Sequence, residues 1–526
     1  MMKDLTSSVY TFSDLIQGNF LYVDKTEYIW QLIRPAKGQY FLSRPRRFGK
    51  SLTVSTLEAV FQGKKELFQG LALYDKPYDW KTYPIIHLDF GNCDAKSPEE
   101  LTDYLMDLLK TISDKFQKPL QFNQLSSCFE KLIDDIAGDG KVVILIDEYD
   151  KPILGNVNNP QVDEILQVLK GFFSNIKKTE NKQRFVLLTG VSKFSHVSVF
   201  SDLNNLTDIT MNRKYATMLG YTQEEVEFYF GDRIEQLVEQ TGISREELLQ
   251  KIKQWYNGYR FEENSPTVYN PVSLAQFFRN KGKFNNYWFQ TGTPKFLLDL
   301  IKEKKFNCAA ALDKPVSAAF FNAFEISNLD PMILLYQTGY LTIDKAVDEP
   351  VPFTNQTMRL YYMHFPNREV ESSFNDCLLE YYAAVRQQDA GRLQLNLVSA
   401  VGHGNVDEFM KILQTMFANI PYDIHCKEEF YYQSLFYLIC YMLQVYVQAE
   451  VRTNDGRIDM TIQAGDWIYV IEFKLNKSAE EAMKQIKDKD YVTKFRCNGK
   501  RLMLIGVNFD TESGQIENWL SEELQN

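Results

Sequence analysis

The chain has 526 residues, of which 44 % are hydrophobic, 14 % aromatic and 24 % charged; that is enough for about three domains and too apolar for intrinsic disorder. Its 58 Lys and Arg against 69 Asp and Glu give a net charge of -11, which excludes nucleic-acid binding through bulk charge and confines any polyanion to a local patch. Seven Cys with no CxxC pair and no cluster with the five His exclude a disulfide framework and a zinc site as expectations, and fit a reducing compartment.

The opening MMKDLTSSVYTFSDL has no apolar core behind a basic end, so the expected location is the cytoplasm. Residues 39–43 read as a short buried strand that enters a turn with Pro45 and Gly49. From Ser51, the apolar Leu52, Leu57, Val60 and Phe61 give a helical pattern. Apolar runs at 84–90, 141–147 and 184–190 follow, separated by long helical stretches. A parallel sheet covered on both faces requires this pattern, so the expected fold class is α/β. From Thr222, a capping residue followed by acidic positions, the text reads as predominantly helical to about residue 345. Residues 346–420, with DEPVPF and then amphipathic helices, read as a connector. The last hundred residues give helix, three strands, helix and strand, with a turn at NDG, as a separate α/β unit. The expected domains are therefore 1–220, 221–345, 346–420 and 421–526.

Residues 44–51, RPRRFGKS, match the phosphate-loop pattern GxxxxGK[ST] except at Arg44, which stands for the first Gly. In such a loop the backbone N–H groups cradle phosphates, the Lys reaches the β and γ groups, and the hydroxyl ligates Mg²⁺. The candidate nucleotide-binding set is Arg44, Arg47, Phe48, Gly49, Lys50, Ser51 and Asp147. Arg44 is itself a candidate phosphate contact. VVILIDE (142–148) is a buried strand ending in two acids: Asp147 to hold the metal and Glu148 to orient or deprotonate a water. Thr189 and Ser192, at the end of the next apolar run, are candidates to place a hydroxyl near the γ-phosphate, although strand-end Thr and Ser are commonly turn residues. Residues 37–65 carry seven basic side chains against one acidic.

A second constellation lies near the end of the chain, where Asp459 in GRIDM precedes Glu472 and Lys474 in VIEFKL. Period two places Glu472 and Lys474 on one face of a strand, with Ile471 and Phe473 facing the core. Two carboxylates converging with a lysine suit a divalent metal that acts on a phosphodiester. The bland alternative is an edge strand carrying an ordinary Glu–Lys pair. Glu429 and Gln485 are candidate accessory residues, and residues 484–501 carry seven basic side chains against two acidic.

FLSRPRRFGKSLTVSTLEAVF (41–61), LIDEYDKPI (145–153), LLTGVSKFSHVSVFSDLNNLTDIT (187–210), WYNGYRF (255–261), AEVRTNDGRIDM (449–460) and IEFKLNKSAEEAMKQIKDKDY (471–491) resemble the bacterial AAA-ATPase-like proteins that carry a C-terminal nuclease domain of the PD-(D/E)XK type. The resemblance implies a P-loop NTPase parallel-sheet domain, a helical lid with winged-helix-like character, and a restriction-endonuclease-like C-terminal α/β domain. It carries nucleotide roles onto Lys50, Ser51, Asp147 and Glu148, and nuclease roles onto Asp459, Glu472 and Lys474, with Glu429 and Gln485 as accessories. Arg at position 44 is common in that family. Implied with it are ATP and Mg²⁺ as cofactors, nucleic acid (DNA before RNA) as partner, no membrane, and an open question of homo-oligomer assembly. Handling of foreign DNA or mobile elements is what the architecture implies. A nucleotide-dependent switch whose nuclease fold grips without cleaving, and phosphotransfer to another acceptor, remain as alternatives.

Overall fold

The computed structural model describes residues 2–524 except 121–123, 194–204, 289–296, 298, 302–303, 305, 307–313, 322–328, 352–353, 355, 384–386, 419–431, 433–435, 437–445, 454–455, 490–494 and 496–498. The chain forms two compact units, one of Met1–Gly292 with Pro315–Val370, the other of Thr293–Lys314 with Glu371–Asn526.

In the N-terminal unit, the apolar runs become β1 (Gly38–Ser43), β2 (Ile85–Asp89), β3 (Val142–Asp147) and β4 (Gln183–Gly190), and a short β5 (Thr207–Asp208) is added. All pair in parallel in the order β2-β3-β4-β1-β5. Every residue of β3 and β4 is buried, as a sheet covered on both faces demands. Its covering helices are amphipathic. Pro98–Phe116 buries Leu101, Leu105, Leu109 and Ile112 along one stripe and starts at Ser97, whose side chain accepts from the Glu100 N–H. The register sets Ser43 beside Gly190 and Asp89 beside Asp147, so the strands' C-terminal ends gather at one edge of the sheet, where ligands of open α/β sheets bind.

Four helices follow: Gln223–Tyr229, Gly231–Thr241, Arg245–Tyr256 and Pro271–Arg279. The first begins with a capping box between Thr222 and Glu225. The helical reading to about residue 345 is interrupted, among the described residues, by short strand segments. A helix Pro331–Thr338 is accompanied by β6 (Val316–Ser317), β7 (Thr342–Pro350) and β8 (Thr357–His364) in a three-stranded sheet ordered β6-β8-β7. Asp348, Glu349 and Pro350 of DEPVPF therefore close β7. Most of β7 is exposed, so no buried apolar run announces it.

The C-terminal unit holds β9 (Tyr446–Thr453), β10 (Gly456–Ala464), β11 (Trp467–Leu475), β12 (Arg501–Asp510) and β13 (Gln515–Leu524), ordered β13-β12-β11-β10-β9. β11 and β12 run parallel through a crossover helix, Ala479–Asp488, while the other pairs are antiparallel. One face of the sheet, with Met460, Tyr469, Ile471 and Phe473, shares a core with Leu397, Val401, Phe409, Leu413 and Phe417. The helices Gln387–Gly402 and Val406–Ala418 thus belong to this core and are not a mere connector. The other face, with Ile468, Val470, Leu502 and Leu504, packs on Met483 and Ile486 of the crossover helix. β13, beyond the expected last strand, is a largely exposed edge.

Candidate functional site

The turn between β1 and the helix Lys50–Phe61 needs two residues of positive φ, Arg47 at 67° and Gly49 at 94°. Gly49 adopts this without the penalty a side chain would add. The helix carries no acidic residue in its first turn, unlike Pro98–Phe116 with Glu99 and Glu100 there. Its N-terminal dipole is left for an external anion. Lys50 is buried and its Nζ donates to the Arg44 and Pro45 carbonyls at 2.9 and 3.0 Å. Burial lowers its pKa, against the opposing pull of Asp147.

The loop opens on a cavity of about 720 Å³ whose lining includes Arg46, Arg47, Gly49, Lys50, Ser51, Asp147 and Glu148. Apolar and aromatic side chains also line it, among them Val9, Tyr10, Leu21, Met218, Leu219 and Tyr221. At the acidic wall, β4 lies between β1 and β3 and brings Thr189 to Asp147, whose Oδ1 accepts the Thr189 hydroxyl and the Glu148 N–H. Glu148 has φ 52°, a rare conformation for a residue with a side chain. Burial raises its pKa, Lys50 opposes, and Asp147, Asp150 and Asp89 add to the rise. Gly91 keeps space there, since a Cβ at this position would lie 3.1 Å from Asp89 Oδ1 and 3.4 Å from Glu148 Oε2. Asp150 is buried and accepts from the Val191 and Ser192 N–H groups at 3.0 and 2.6 Å and from the Ser192 hydroxyl.

In the C-terminal unit, β11 is the central strand, with β10 and β12 on its two sides, so the edge-strand alternative does not hold. Trp467, Tyr469, Ile471 and Phe473 face one core; Ile468 and Val470 face the crossover helix, and Glu472 and Lys474 follow in the same alternation. Along β10 the alternation breaks at Asp459: Ile458 joins the helix-side cluster while Met460 joins the opposite one. Asp459 Oδ2 accepts the Phe473 N–H at 2.8 Å. Glu472, 1 % exposed, receives the Gln485 amide on Oε1, and Lys474 Nζ lies 3.5 Å from the same oxygen. Glu472 Oε2 is buried with no hydrogen-bond partner among the described residues. Burial pushes the Glu472 carboxyl up to about 7, the Asp459 charge adds to this, and Lys474 opposes it.

Residues 7–200 match the family model described as a predicted AAA-ATPase, and residues 427–519 match the PD-(D/E)XK nuclease superfamily. A protein of Azotobacter chroococcum mcd 1, named "Uncharacterized protein in vnfD 5'region", is 36 % identical over 543 residues, spanning 99 % of each chain. The chain belongs to the AAA-ATPase-like family with a C-terminal PD-(D/E)XK nuclease-superfamily domain.

Within this AAA-ATPase-like protein, Arg47, Phe48, Gly49, Lys50, Ser51, Asp147 and Glu148 are brought to one cavity, and Asp459, Glu472, Lys474 and Gln485 to one cluster. Arg44 departs from its expected phosphate contact. Its guanidinium is buried, donates to the Ser43, Thr210 and Tyr215 carbonyls at 2.9, 2.7 and 3.2 Å, and lies over the Phe261 ring at 4.1 Å. Arg44 therefore braces the loop from outside the cavity. Thr189 and Ser192 are likewise absent from the cavity lining; their hydroxyls hold Asp147 and Asp150. Glu429 lies outside the described residues, and among those described no group of three His, Cys, Asp or Glu gathers as a metal site. No helix of the AAA-ATPase-like protein is long and apolar enough to cross a membrane, among the described residues. Sequence reasoning missed Asp89, Asp150 and the apolar cavity lining. Asp89 stood at the end of an apolar run, as Asp147 did, and that shared position was the available signal.

Proposed function

We propose that this protein binds and hydrolyses ATP in its N-terminal unit and cuts nucleic acid, with DNA the first substrate to test, at a divalent-metal site in its C-terminal unit. The observation that carries the nuclease half is Glu472 Oε2, a buried carboxylate oxygen without a partner among the described residues, beside Asp459 and Lys474. A lone buried carboxylate is costly unless it is paired or coordinates a cation. Two carboxylates form a hard-oxygen donor set that suits Mg²⁺ or Mn²⁺. Asp459 and Glu472 would hold the ion, which when bound supplies Lewis-acid polarisation of the phosphodiester and a more acidic water. Lys474 steadies negative charge that develops on the phosphate, and Gln485 fixes the Glu472 rotamer.

In the ATP half, the apolar side chains of the cavity lining take the base and the loop takes the phosphates. Lys50 exchanges the Arg44 and Pro45 carbonyls for the β- and γ-phosphates. Ser51 and Asp147 are the residues that would hold Mg²⁺. Glu148, with its raised pKa, accepts a proton from the attacking water.

Calorimetric titration of Mn²⁺ into the nucleotide-free protein tests the metal site. One ion per chain in the wild type, lost in Glu472→Gln, is the expected result. Binding that the substitution leaves unchanged contradicts the proposal.

A further inference from the structure

The segment WYNGYRF (255–261) has no role in either proposed site, and the structure gives it a place together with Trp288. Phe48 of the phosphate loop is buried, edge-on to Tyr259 at 4.7 Å and Phe261 at 5.3 Å. Arg44 lies over Phe261, and a Cβ on Gly339 would come within 2.6 Å of Pro45. The outer side of the loop is therefore gripped by residues far along the chain.

Trp288 adds a directional link. Its indole Nε1 donates to the Arg46 carbonyl of the loop at 3.4 Å, and its backbone N–H donates to Glu369 Oε1 at 2.7 Å. The ring is 7 % exposed and packs edge-on to Tyr340 at 5.1 Å. Glu369 is buried in the first turn of the helix Arg368–Ala383, and the chain passes from the N-terminal to the C-terminal unit at Val370. Asn367, just ahead of this helix, accepts the Val370 N–H at 3.1 Å and donates to the Asn257 carbonyl at 2.8 Å.

A triphosphate draws Lys50 away from the Arg44 and Pro45 carbonyls. Those two carbonyls then need new partners, and the adjoining peptide is the one whose carbonyl Trp288 holds. We propose that Trp288 is a positioning residue that reports nucleotide occupancy of the phosphate loop to Glu369 and the head of the helix Arg368–Ala383. This inference rests on the ATP-binding reading above. It gives the C-terminal unit an input that depends on ATP without any residue of the helix touching the nucleotide.

The test is hydrogen–deuterium exchange of residues 368–383, with and without ATP and Mg²⁺, in the full-length wild type and in Trp288→Phe, which keeps a ring and removes the indole N–H. Trp288→Tyr is carried in parallel, so that misfolding of one variant does not end the test. In the wild type ATP changes exchange at the start of this helix. In the variants the change is lost while the KM for ATP stays within about threefold, the split expected of a residue that does not touch substrate. An ATP response equal in variant and wild type overturns the inference, as does a wild type that binds ATP with no change in this helix. A wild type that does not bind ATP at all overturns the ATP reading itself, and this inference falls with it.

Discussion

The acidic residues at the end of β3 and those on β11 differ in how their carboxylates are held. Asp147 and Asp150 are held by donors from their own neighbourhood, the hydroxyls of Thr189 and Ser192 and the amides of residues 148, 191 and 192. Asp147 edges a cavity of about 720 Å³, room for a bulky ligand. Glu472 has one oxygen bound by Gln485 and the other buried without a partner among the described residues, a deficit that the proposed cation would meet. The lesson is that hydrogen-bond donors position a carboxylate for service beside a ligand, whereas their absence turns a buried carboxylate into the ligand site itself.

The largest expected effect separates the two sites. Asp459→Ala should reduce metal-dependent DNA cleavage by about a thousandfold or more, the loss expected when a metal-supported reaction loses a ligand, and leave ATP turnover as in the wild type; parallel nuclease and phosphate-release assays check this. Glu148→Gln should lower ATP turnover by about 10²- to 10⁴-fold, the contribution of a general base, while retaining affinity for a fluorescent ATP analogue. Loss of binding along with turnover would place Glu148 among the binding residues instead. Ser192→Ala removes a donor to buried Asp150 and should destabilise the N-terminal unit by about 1–3 kcal/mol, read in urea melts.

The smallest effect depends on pH. In the folded, metal-free chain the Glu472 carboxyl stands at about 7, above its ordinary 4.5, so the folded state holds this proton more tightly than the unfolded state. Stability then falls as pH rises from the ordinary carboxylate range through about 7, and the cost of the buried charge is fully present above that. Glu472→Gln should melt at a higher temperature than the wild type at pH 8, with the difference fading by pH 5. A constant difference across that range would contradict the assigned cause.

What could be read beforehand followed from burial. VVILID and RFVLLTG are dominated by apolar residues because helices cover both sheet faces, and both are strands as expected. In WIYVIEFKL the alternation alone set Glu472 and Lys474 on one face. β7 and β13 escaped because their mostly exposed residues carry no buried period, and β8 because only Tyr361 and Met363 of its eight residues are buried. The helices of residues 387–418 showed their apolar faces, but the sheet they cover lies further along the chain. Arg44, Thr189 and Ser192 were assigned to phosphate by residue type. Their true partners depend on strand order and long-range packing, which put Thr189 against Asp147 and Arg44 against Phe261.

The central claim is tested most directly by incubating plasmid and linear DNA with Mg²⁺ or Mn²⁺, with and without ATP, using wild type and Lys474→Ala. The account predicts cleavage by the wild type and intact DNA with Lys474→Ala, which still binds ATP. DNA that stays intact with the wild type under every condition, or is cut equally by the variant, would contradict it.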